Sequence, residues 1–394
     1  MRVLVASPFL PYAAVPHAGG KTIYWALEYL SGRHEVDLVS RVFPGERGAL
    51  DQVRPVVRRL YPVWEAEAAT PNAGSLVHRV ASYRRLARES ARLARQGTYD
   101  VVLVEFSELG MVYDPSGGPP PAIDCHDIVT KRYFRSWEQA RGPARILRWA
   151  AYRAFWAAER RAVRRFPLAF VRSREDARWA ERWIGRADVR VIYHPAGAGL
   201  VSSGRKEVPG RLVFVGAMDR PFNAAAALFF YREVFPRVRA AFPDSVFRVV
   251  GGNPPAELLA LAQRDSSLQV TGFVDDLGRE YDEASVFVAP ILVGGGIIIK
   301  VLDALAVGVP VVTTTYGNEG IEAEPGREVF VADTAEAFSA AVEEFLENAA
   351  LREQMGSRGK RFAEEKFGKE QTLGVLEHGL NELAERSRGR AARL

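Results

Sequence analysis

Cysteine is nearly absent from this 394-residue chain, where Cys125 stands alone. A single thiol forms no internal disulfide, so a disulfide-stapled scaffold is excluded and a reducing, cytoplasmic setting is expected. The six histidines are scattered without ligand spacing, and no metal site is expected. Long apolar runs are missing too. No stretch approaches the roughly 18 continuous apolar residues of a membrane span. The opening MRVLVASPFLP carries one charge and a short run before Pro8, which reads as a first strand rather than a secretory leader. With 34 Gly and 23 Pro, the chain is neither low-complexity nor collagen-like.

What is present is an ordinary globular composition, 48% hydrophobic and 26% charged, at a length that predicts two or three domains. The net charge of +5 hides an asymmetry. Residues 1–200 carry 31 Lys and Arg against 20 Asp and Glu, while residues 201–394 carry 22 against 28. Two halves of opposite sign suggest different partners, the basic one facing something anionic.

Short β-rich runs alternate with longer helical patterns, the signature of parallel sheets covered by helices. Strands are expected at Arg2–Ser7, Val36–Ser40, Asp100–Glu105, Ala122–Asp124, Leu168–Arg172 and Val189–Tyr193. A second series is expected at Arg211–Gly216, Val246–Gly251, Leu268–Thr271, Val286–Pro290, Pro310–Thr314 and Val329–Ala332. Most are apolar on both faces, as strands between two helical layers are. The Gly, Pro and Ser-rich segment 195–210 reads as an interdomain linker, and the final SRGRAARL as a frayed basic tail.

Ligands of such sheets bind beyond the carboxyl ends of the strands, so the loops there matter most. In VAPILVGGGIIIKVLDALAVGVP, Gly294, Gly295 and Gly296 separate a strand from a helix that contains Lys300 and Asp303. The free N–H groups of a helix start suit a diphosphate, Lys300 adds a full charge, and the Asp303 carboxylate can accept from vicinal hydroxyls. The same residues also suit a plain strand–Gly–helix junction with both charges solvated. Gly19 and Gly20 repeat the construction after the first strand, without a GxGxxG dinucleotide fingerprint. AIDCHD (122–127) ends a strand in His126, placed to hydrogen-bond a sugar hydroxyl or to serve the core; Cys125 reads as a small core residue.

With these loops the chain resembles the family 4 glycosyltransferases, retaining enzymes of the GT-B fold. The branch is the one with a glycine run in place of the first glutamate of the paired-glutamate motif. The carrying pieces are SPFLPYAAVPHAGGK, AIDCHD, FVGAMDRPFN (214–223), VVGGNPP (249–255), VTGFVDDL (270–277) and VGGGIIIKVLDALAVGVPVVTT. The resemblance implies an α/β GT-B architecture, two Rossmann-like doubly wound domains facing across a cleft. Residues 1–200 would form the acceptor domain and 201–370 the nucleotide-sugar domain, with a helix over 371–394 packing back on the first. It implies Gly19 and Gly20 near the donor phosphates, His126 facing the donor sugar, and the base against the Thr271–Val274 loop. Gly216, Asn223 and Val274 would also line the donor. The diphosphate falls at Gly294, Gly295 and Gly296 with Lys300, and the ribose at Asp303. His126 and Lys300 are the implied catalytic pair. Where the family has an Arg and a Lys after the FVG strand this chain has Ala217 and Asn223, and where the branch has Thr-Arg it has Ile297 and Ile298.

The expected activity is therefore sugar transfer, with retention, from a nucleotide-diphosphate sugar to an acceptor hydroxyl for a surface glycan, glycolipid or glycosylated metabolite. No cofactor or metal is implied. An epimerase or phosphorylase on the same fold, or a non-catalytic partner with a degenerate donor site, stands as the alternative. In the basic half, ARILRWAAYRAFWAAERRAVRRF interleaves arginines with aromatics. It fits either a core helix with a solvated arginine face or an amphipathic helix on an anionic membrane surface. No nucleic-acid motif accompanies the charge.

Overall fold

Mostly apolar strands alternating with helices build two separate parallel sheets. The structure, a computed structural model, describes residues 1–13, 15, 18–66, 76–138, 140–185, 188–292 and 297–391. The chain divides into two units, Met1–Tyr193 with Thr372–Leu394, and His194–Gln371.

The first unit holds β1 (Arg2–Ser7), β2 (Glu35–Val42), β3 (Arg59–Trp64), β4 (Val101–Glu105), β5 (Pro121–Cys125), β6 (Leu168–Val171) and β7 (Val189–Val191), in the order β3-β2-β1-β4-β5-β6-β7. The second holds β8 (Arg211–Val215), β9 (Val246–Val250), β10 (Leu268–Gly272), β11 (Val286–Ala289), β12 (Val311–Thr313) and β13 (Phe330–Val331), in the order β10-β9-β8-β11-β12-β13. Every pairing between these strands is parallel, and both sheets run in the doubly wound order outward from their first strand. Each unit is Rossmann-like and α/β. β1, β4 and β5 are buried along almost their whole length, as are β11 and β12. The interior of the first unit gathers Leu4, Val102, Val104, Ile123, Phe166 and their neighbours into one core. Among the described residues, no helix is long and apolar enough to cross a membrane.

Three differences from the sequence reading have physical causes. β3 was not anticipated, because Pro62 interrupts its pattern; as an edge strand it tolerates a residue that cannot donate. Segment 195–210 is part of the second unit rather than a free linker. The Ala196 N–H donates to Phe367 O (2.7 Å), the Gly197 N–H to Asp303 (3.2 Å), the Ser203 N–H to Asp282 (2.8 Å) and the Lys206 N–H to Asp282 O (2.9 Å). The basic end does not fray at residue 387. A helix runs over Lys369–Ala391, and its Arg388 donates to Asp100 at 2.6 Å. The same helix is tied to the first unit by Glu377, 2.8 Å from His34 Nε2, and by Glu382, which accepts from Arg190 at 2.6 Å.

Candidate active site

In the first unit, neighbouring strands β4 and β5 place Glu105 and Asp124 in register at their carboxyl ends. Both are almost fully buried, 1% and 2% exposed, which alone would be costly for two like charges. The compensation comes from His126, just past β5, and Arg172, just past β6. His126 Nε2 lies 2.7 Å from Glu105 and 3.7 Å from Asp124. Arg172 donates to Asp124 and stands 3.2 Å from the same ring nitrogen. Burial pushes both carboxyls up, Glu105 well above the usual range with Asp124 adding repulsion, while Arg172 pulls both back. Asp124 keeps Oδ1 buried without a hydrogen-bond partner. Glu105, Asp124 and His126 bring ligand atoms within 4.8 Å of one another, a set able to hold a cation, but the Arg172 guanidinium already sits on Asp124.

The residue between strand and helix here is strained. Phe106 has φ 70° and ψ 134°, a region that disfavours bulky side chains, and such strain collects at functional sites. Its N–H donates to Asp124 O (2.8 Å), and its ring stacks flat on His126, centroids 4.1 Å apart, with Phe9 edge-on at 5.2 Å. Gly19, in the first turn of the helix Ala18–Ser31, leans against that ring: a Cβ there would come within 2.7 Å of Phe106 Cζ. The structure therefore brings Gly19 and His126 together through Phe106, with the buried Gly20 next in the chain. Gly19→Ala is expected to cost about 1–3 kcal/mol, read as a lowered thermal midpoint, because the pinned ring has nowhere to move. An unchanged midpoint would show that the ring is free to shift. Cys125 is buried and its thiol pushed up by burial, as befits a core residue.

In the second unit the carboxyl end of β8 leads into Gly216, and the helix Ile299–Val307 supplies Lys300 in its first turn. Lys300 Nζ donates to Asn223 Oδ1 at 2.5 Å and sits 4.4 Å above the Phe214 ring; Asn223 Nδ2 in turn donates to Ala217 O at 2.9 Å. A Cβ on Gly216 would lie 2.8 Å from both Lys300 Nζ and Asn223, so only glycine fits beneath the ammonium. Among the described residues Lys300 has no carboxylate partner, and burial lowers it to about 7. Asp303, 9% exposed, accepts from the Gly197 N–H. Val274 is half-buried in the loop after β10, which turns at Gly272 (φ 72°) and carries the exposed Phe273. Gly294, Gly295 and Gly296 lie outside the described residues.

Gly216, Asn223 and Lys300 thus form one cluster in the second unit, while Asp303 lies three residues further along the Lys300 helix, bonded to Gly197, and Val274 sits in the loop after β10. Sequence reasoning missed Glu105, Phe106 and Arg172. The available signal was an acid closing an otherwise apolar run, VVLVE, which in a buried strand demands a compensating partner.

Known proteins bear on both units. Residues 209–348 match the family described as Glycosyl transferases group 1. Across its whole length the chain is similar to the sucrose-phosphate synthase of Thermosynechococcus elongatus, with a TM-score of 0.68, 16% identity and 100% of each chain covered. It is similar as well to Anabaena HepE solved with UDP, with a TM-score of 0.65 and 13% identity over 97% of this chain and 100% of that one. At those identities the likeness establishes the fold, the two-domain α/β architecture of GT-B glycosyltransferases. In sequence, 163 residues are 25% identical to an uncharacterized 44.6 kDa protein in the cps region of Klebsiella pneumoniae; the match covers 40% of this chain and 42% of that relative's length.

Proposed function

We propose that this chain is a retaining glycosyltransferase that moves a sugar from a nucleotide-diphosphate sugar to an acceptor hydroxyl in the assembly of a surface polysaccharide. The observation that carries the reading is Lys300: a buried cation without a carboxylate partner among the described residues, at the start of a helix and the carboxyl edge of a doubly wound sheet. A protein keeps such a group where an anion will complete it. The group 1 match over 209–348, the HepE complexes with UDP and UDP-glucose, and the cps-region relative all support this choice of donor and product.

In this reading the bond from the anomeric carbon to the diphosphate oxygen breaks as the acceptor oxygen bonds to that carbon from the same face. The acceptor's proton passes to the departing phosphate. Lys300 and the helix start stabilise the charge that develops there, usually the largest catalytic contribution. His126, fixed by Glu105 and Phe106, contacts the sugar. Asp303 holds the ribose, and the loop through Val274 holds the base. Neither metal nor cofactor takes part, so the reaction persists in chelator.

Calorimetric titration with UDP, GDP and ADP tests the donor site; binding of one of them is expected. Release of that diphosphate from its sugar nucleotide only when acceptor is present separates transfer from epimerisation. Failure of all three to bind would leave the non-catalytic reading, which Ala217, Ile297 and Ile298 favour.

A further inference from the structure

The helices Val129–Glu138 and Pro143–Val163 form a hairpin in the first unit. Its base is anchored at Glu159, which is fully buried and accepts from the Val129 and Thr130 N–H groups at 2.9 and 2.8 Å. Along its length Tyr133 stacks on Phe155 (4.0 Å) and Trp137 on Tyr152 (5.9 Å). From Glu159 back to Pro143 is about 24 Å of helix at 1.5 Å per residue. At that far end residues 141–150 are exposed without exception.

An exposed stretch is normally polar, but this one is not. Ile146 is 71% exposed, Leu147 74% and Trp149 49%, interleaved with Arg141, Arg145 and Arg148 and with no acid between residues 141 and 150. Among the described residues none of these three arginines is ion-paired; Arg145 lies over the Trp137 ring (5.5 Å) and Arg148 donates to Ser136 O (3.0 Å). A depression of about 280 Å³ opens at the tip between Trp137, Gly142 and Trp149. Aliphatic side chains held out in water beside unpaired cations gain most from a surface that is apolar below and anionic above. A second copy of the chain fits poorly, because a two-fold contact would set these arginines against themselves. Nucleic acid offers the aliphatic side chains nothing.

We propose that the hairpin tip is a membrane-docking surface, with Ile146, Leu147 and Trp149 entering the headgroup region of an anionic bilayer and Arg141, Arg145 and Arg148 pairing with its phosphates. The proposal does not depend on the donor chemistry. The full chain is mixed with phosphatidylcholine vesicles with and without phosphatidylglycerol, at low and high salt, and sedimented. Binding to the anionic vesicles alone is expected. Both the pair Ile146→Ser with Leu147→Ser and the pair Arg145→Glu with Arg148→Glu should weaken it by about tenfold or more, with thermal midpoints unchanged at such exposed positions. Wild-type protein that ignores anionic vesicles at low salt overturns the proposal. So does binding that survives the serine pair, since adsorption would then be plain charge elsewhere. A dimer in gel filtration that the serine pair dissolves assigns the face to a second copy instead.

Discussion

Lys300→Met is expected to stabilise the protein and to cripple diphosphate binding in the same variant. The wild-type ammonium is packed over Phe214 and held by Asn223, neither of which carries charge, and burial brings it from 10.5 to about 7. The folded value lies below the unfolded one. Between about pH 7 and 10.5 the unfolded chain therefore holds a proton that the folded chain has lost, and stability rises with pH through that window. Below pH 7 the penalty is complete. Methionine removes it, so the variant's melting temperature should exceed wild type most at pH 6–7 and converge towards pH 10. Binding moves the other way. An anionic diphosphate restores the proton's preference for Lys300, so wild-type affinity should fall as pH climbs above about 7, with proton uptake visible in buffers of different ionisation enthalpy. Lys300→Met should lose about 1–3 kcal/mol of affinity and the uptake with it. Melting curves that stay parallel across the range would show that Lys300 is solvated, and unchanged affinity would remove it from the site.

The doubly wound architecture was legible because strands buried between helical layers are largely apolar, a pattern that β11 shows throughout and that β1, β4 and β5 show apart from Arg2, Ser7, Glu105 and Asp124. β3 was not, since Pro62 carries opposite meanings at a sheet's edge and at its centre, and local sequence does not say which applies. Composition misjudged 195–210 for a similar reason. Gly, Pro and Ser describe what a backbone can do, whereas its attachment depends on Asp282 and Asp303, about eighty to a hundred residues away. The site divides along the same line. Lys300 could be singled out by the loop and helix around it, but its grip by Asn223 and the cramped space over Gly216 are contacts across 77 and 84 residues. Asn223 shows most clearly what was hidden. In sequence it marks a missing cation; in the structure its amide bridges Lys300 and the Ala217 carbonyl, holding the remaining cation in place. Glu105, Asp124 and Arg172 stand at or just past the carboxyl ends of three neighbouring strands and meet only because β4, β5 and β6 are adjacent.

That adjacency sets the second large effect. Arg172→Met should destabilise the protein by about 3–5 kcal/mol, because it leaves Asp124 and Glu105 buried with only His126 to answer two carboxyls. Both carboxyls already titrate above their usual values, so the folded protein holds protons that the unfolded chain has given up, and their contribution to stability worsens as pH rises from about 4. Losing the guanidinium raises them further. The deficit of Arg172→Met should therefore be greatest near neutral pH and shrink towards pH 4, as protonation removes the buried charges that Arg172 answers. Denaturant titrations at the two pH values measure it. Adding Asp124→Asn should recover much of the loss at neutral pH, since the amide needs no counter-charge; Asp114→Asn, at an exposed acid outside the cluster, should recover nothing. A deficit below about 1 kcal/mol, flat with pH, is what a solvated surface pair would give, and it would mean that His126 alone balances the cluster and that Arg172 is dispensable to it.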